Sequence, residues 1–153
     1  MLVSKTTDEQ NPYTKFQKKF YNPFSMSLSA NKTIPFEIPE INHGLKEAAG
    51  LMKQWKRGLE FEFEVATLGL FKSGVQTVRI PYAELNSIQY KEGWIKDKII
   101  LEGTSMKVFE DIPGTEVATC TLKIKRKNRD EAQGLISSAR MHLSEHKLDQ
   151  LGW

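Results

Sequence analysis

The sequence predicts a mainly β domain, an α+β arrangement of about seven antiparallel strands closed by one C-terminal helix. Two patterns predict it. Leu59, Phe61, Phe63 and Val65 alternate strictly with Glu60, Glu62 and Glu64, which suits a strand with one covered face and one wet face in an antiparallel sheet. Between Asn128 and Leu148, the apolar residues Ala132, Leu135, Ile136, Ala139 and Leu143 recur at three- and four-residue steps, the stripe of an α-helix. Such a stripe has to be covered, and a sheet built from the preceding chain is the available cover.

At 153 residues, with 39% hydrophobic and 10% aromatic content, the chain can build one ordinary core. Residues 1–33 are expected to form an N-terminal arm and residues 34–153 the domain. The lone Cys120 cannot form an internal disulfide. No run is long enough to span a membrane, and Asp8 and Glu9 come before any apolar stretch, so no secretory signal is expected and the cytoplasm is the expected location. The net charge of +3 lies in the arm, where five lysines face Asp8 and Glu9; residues 34–153 balance to zero. A neutral domain argues against nucleic acid as the main partner.

The arm is rich in Asn, Ser, Thr and Lys. Phe16 and Phe20 would share a face if residues 15–21 turned helical, with Lys15, Lys18 and Lys19 beside them. Such a segment either docks on a partner or an anionic membrane, or packs on its own domain or a twin.

In the domain, Ile34, Phe36 and Ile38 alternate, but Pro35 and Pro39 interrupt them and predict an edge strand or an extended ribbon. Residues 45–55 fit either a helix or a strand; Gly50 and the need for a pairing neighbour favour strand. Residues 67–74 carry Leu68, Leu70 and Phe71 in a connection, expected to fold back under the domain and otherwise to face a partner. Further strands are expected at 75–80, 86–92, 94–101 (with Ile95, Ile99 and Leu101 inward), 106–109 and 117–126. In the last, Cys120, Leu122 and Ile124 face inward. For the helix, residues 129–148, Asn128 and Glu131 predict a capping box, Arg129 and Arg140 face away, and Gly134 predicts a close approach by the sheet. Gly152 suits a stop.

Strand order and local sequence together resemble the pleckstrin-homology-like superfold, especially its bacterial members. The carrying residues are the strand 58–66, the turn Lys72-Ser73-Gly74 leading to Val78-Arg79-Ile80-Pro81-Tyr82, the turn Lys91-Glu92-Gly93-Trp94, and Ile112-Pro113-Gly114. The resemblance covers roughly residues 34–148. It implies a barrel capped by the helix. It does not imply one function, since a fold hosts many. Relatives that bind phosphoinositides use Lys and Arg on the first two strands and their turn, and Lys53, Lys56 and Arg57 lie near the corresponding position. Glu60, Glu62 and Glu64 would repel a phosphorylated headgroup there.

Catalytic signatures are weak. His142-Leu143-Ser144-Glu145-His146 places two imidazoles on one helical face, yet lacks a third ligand and a cleft, so exposed helix surface is expected. Cys120 reads as a buried, inert thiol. No enzyme activity, metal or cofactor is expected. The sequence points to a non-catalytic protein-interaction or scaffolding module, with a homo-oligomer among its forms, using Leu68, Leu70, Phe71, Phe16 and Phe20. The alternative is a peripheral membrane module using Lys15, Lys18, Lys19, Lys53, Lys56 and Arg57. A small apolar ligand in the barrel mouth is a weaker third reading.

Overall fold

A computed structural model of the chain describes residues 32–152. The chain divides into two units, Met1–Ala30 and Asn31–Trp153, and the fold belongs to the second. Strands are β1 (Thr33–Ile41), β2 (Lys46–Trp55), β3 (Gly58–Thr67), β4 (Phe71–Lys72), β5 (Gln76–Pro81), β6 (Leu85–Lys91), β7 (Lys96–Gly103) and β8 (Thr119–Lys125), followed by helix α1 (Arg129–Gln150). The sheet runs β4-β3-β2-β1-β8-β7-β6, with β5 pairing β3, and every pairing is antiparallel. Among the described residues it is not closed into a full cylinder. The expected architecture is present; among the described residues there are eight strands, of which the short β4 was not expected, while the strand expected at 106–109 is absent.

The core lies between the sheet and α1. Phe36 and Phe61 meet edge to face with ring centroids 5.9 Å apart, and Ala132, Leu135, Ile136, Ala139 and Leu143 are all buried. The helical stripe therefore covers what its spacing predicted. Residues 46–55 are strand. Their Gly50 is required, because a Cβ there would lie 2.0 Å from the Glu62 carbonyl oxygen.

Several expectations fail for physical reasons. β1 is interior, between β2 and β8, and its prolines are tolerated because pairing with β8 is thin, with one register point at Glu37 and Lys123. Pro39 also falls within the register shift between Ile38 and Ile41, the kind of bulge where proline costs no ladder bond. Residues 106–109 form turns, not a strand; Phe109 is buried and anchors the loop from within. Val117 and Ala118 take positive φ, so the last strand starts at Thr119.

The helix start also differs. Residues 126–128 make a 3-10 turn, and Asn128 lies outside the extended region, at φ −101° and ψ 8°, with no side-chain cap bond; its Nδ2 is buried without a partner. The capping box is absent for that reason. At Gly134 the atom nearest a notional Cβ is the Lys32 Nζ, 3.6 Å away, so no sheet element packs there. Gly152 does take positive φ at the stop.

Candidate functional site

The connection between β3 and β4 is the first candidate surface. Leu68 and Gly69 both take positive φ, turning the chain so tightly that the following side chains have no interior to enter. The Leu68 amide donates to the Leu45 carbonyl at 2.8 Å and the Leu70 amide to the Thr67 carbonyl at 3.1 Å. Contrary to expectation, Leu68, Leu70 and Phe71 do not fold back: Leu70 is 79% and Phe71 68% exposed. Leu45 is exposed as well, so the β1–β2 and β3–β4 turns together display four large apolar residues.

Beside them opens a cleft of about 570 Å³ whose lining includes Phe71, Ile41, Lys46, Lys72, Glu110 and Asp111. Mixed charges line it, which does not match the small apolar ligand considered from sequence. Phe16, Phe20, Lys15, Lys18 and Lys19 lie outside the described residues.

Lys56 and Arg57 form the turn between β2 and β3 and Lys53 lies on β2 just before it, whereas the first two strands are joined by residues 42–45. Lys53 is committed elsewhere: its Nζ lies 2.7 Å from Glu60 and 3.4 Å from Glu62. Glu60, expected on a wet face, is almost fully buried. Burial pulls its carboxyl upward, but Lys53 and Arg79 outweigh that and hold it below the usual range. Arg79 bonds Glu60 at 2.5 Å and lies over the Trp55 ring at 5.5 Å. The glutamates are thus partly a packed ionic row, and Lys53 is not brought together with a cleft.

Sequence reasoning missed Asp97. It sits on the inward face of β7 with 0% exposure, while Ile95, expected inward, is exposed. Its carboxylate accepts hydrogen bonds from Arg129 Nε and Nη2, both at 2.7 Å, from the Tyr90 hydroxyl at 2.5 Å and from the Gly93 amide at 2.9 Å. Arg129 in particular, with Tyr90 and Gly93, holds Asp97 well below the ordinary carboxylate range against the opposing effect of burial. Arg129, expected to face away, instead clamps the start of α1 to the β6–β7 hairpin. The available signal was an aspartate at a position of inward register, between Ile95 and Ile99.

His142 Nδ1 lies 3.1 Å from Glu145, and its ring stacks on Tyr82 with centroids 6.1 Å apart; His146 contacts Gln150. The two imidazoles therefore have separate neighbours, and among the described residues no three His, Cys, Asp or Glu side chains are grouped to hold a metal. Cys120 is buried, and burial pushes its thiol up to about 12. Among the described residues no helix is long and apolar enough to cross a membrane. Comparison with models of protein families, with curated proteins and with solved structures finds no match for the chain.

Proposed function

We propose that this is a non-catalytic, pleckstrin-homology-like interaction module of the cytoplasm that self-associates through the turn carrying Leu68, Leu70 and Phe71. The observation that carries the reading is the outward display of these residues beside Leu45. Leaving that much apolar surface in water is unfavourable by about 25 cal/mol per Å², and covering it with a second copy recovers that free energy. The sheet order and terminal helix support the class. The burial of Cys120 and the separate neighbours of the two histidines support a role without chemistry.

Light scattering on the full chain tests this. The wild type should exceed its monomer mass of 17.5 kDa, and Leu70→Asp with Phe71→Asp should return it to that mass with an unchanged circular dichroism spectrum. Equal masses for the two proteins would remove this turn as the contact.

A further inference from the structure

The outer face of β6, β7 and β8 carries a charge pattern unlike the rest of the sheet. Across β2, β3 and β5, Lys53, Glu60 and Arg79 stand in register, so cation, anion and cation alternate. Across β6, β7 and β8 the corresponding row is Lys91, Lys98 and Lys123. One step closer to the β6–β7 turn, Lys96 lies opposite Lys125. Like charges directly opposite one another destabilise a sheet.

Neutralisation is partial. Glu37 pairs with Lys96 and with Lys125, and it stands on β1 in register with Lys123, so the row ends on an anion at its β1 side. Lys91 and Lys98 have no carboxylate at ion-pairing distance among the described residues. Burial first, and then Lys98 and Lys96, draw the Lys123 ammonium below the usual lysine range, against a smaller opposite pull from Glu40. Exposed Arg126 and Lys127 follow β8 and extend the cationic surface.

At the end of these rows stands an apolar tip. Trp94 is 90% and Ile95 77% exposed. The turn that presents them is firmly held: Gly93 donates to buried Asp97, Arg129 donates to the Gly93 carbonyl at 3.3 Å, and Arg126 donates to the Trp94 carbonyl at 3.1 Å. Gly93 is itself required, because a Cβ there would lie 2.0 Å from the Lys96 carbonyl oxygen. So the indole is displayed on a rigid support, not on a loose loop. An indole and an aliphatic side chain flanked by lysines match the depth profile of a membrane interface, with apolar groups at headgroup level and cations toward anionic lipid. A nucleic acid would use the lysines but offers Ile95 no comparable environment.

We propose that the β6–β7 hairpin docks the domain on an anionic lipid surface, with Lys91, Lys98 and Lys123 supplying attraction and Trp94 and Ile95 inserting. Complementarity of charge selects the surface, and no headgroup pocket takes part. The surface is separate from the Leu68–Phe71 turn. Residues 68–71 follow Thr67, which pairs with Lys46 just beyond Ile41, whereas Lys96 pairs with Lys125 at the far end of β8.

The test is co-sedimentation of the full chain with vesicles of phosphatidylcholine, alone or with about one-third phosphatidylserine. Binding should require the anionic lipid and fall at least tenfold at high salt, as screening demands. Lys91→Glu with Lys98→Glu should lower it more than tenfold, since each lysine near such a surface is worth about fivefold. Trp94→Ser with Ile95→Ser should lower it about tenfold and remove the blue shift of tryptophan emission, while both variants keep the wild-type circular dichroism spectrum. Absence of binding to anionic vesicles would overturn the proposal. So would binding that both variants retain but that Lys15, Lys18 and Lys19 to Glu abolishes, or loss of nucleic-acid binding in these variants with vesicle binding unchanged.

Discussion

Across one half of the sheet the row Lys53, Glu60, Arg79 alternates in sign, whereas across the other half the row Lys91, Lys98, Lys123 is cationic throughout. In the first row each cation has a geometric partner, and Arg79 also covers Trp55. Its charges are used up inside the domain, which leaves Lys53 poorly placed to bind a phosphate. In the second row mutual repulsion works against the fold. Counting lysines along the sequence cannot separate these cases; pairing register does.

The largest expected effect concerns what holds the cationic half in place. Asp97→Ala removes the acceptor shared by Arg129, Tyr90 and the Gly93 amide, and should cost about 3 kcal/mol in urea unfolding. The same carboxylate gives a pH signature. Its folded pKa is depressed, so its contribution is present above the unfolded value of about 4 and is lost as pH falls below it. Wild-type stability should therefore fall below about pH 4, with a shallower fall in Asp97→Asn. Equal acid limbs in the two proteins would show that the clamp is not ionic.

Next in size is the alternating row. Glu60→Ala leaves Lys53 and Arg79 facing each other without the anion between them, and should cost about 2 kcal/mol by urea unfolding. A change below about 0.5 kcal/mol would mean that the row is surface decoration and that the two halves do not differ in kind.

The elements whose identity follows from periodicity were legible in the sequence: β3, with its strict alternation, and α1, whose five-residue stripe is buried as spaced. Gly50 was legible too, as a sign against helix. What escaped were features decided by partners distant in sequence. Asp97 looks like an error in a strand pattern until Arg129, 32 residues later, is placed against it. Glu60 looks solvated until β5 brings Arg79 alongside. The prolines of β1 look like edge markers until the thin seam with β8 is seen. For the surfaces, Leu68, Leu70 and Phe71 were identifiable as candidates by composition, but their exposure depends on positive φ at Leu68 and Gly69, which composition does not report. The lysine row was invisible for the same reason as Glu60, since its members come from three strands.

The most direct test of the contrast between the halves is the urea stability of Lys98→Glu. A glutamate at this position faces both Lys91 and Lys123 and converts the row to alternating sign, so the variant should be more stable than wild type by about 0.5 to 1 kcal/mol while binding anionic vesicles less. A variant less stable than wild type would contradict the claim that the cationic row is held together against its own repulsion.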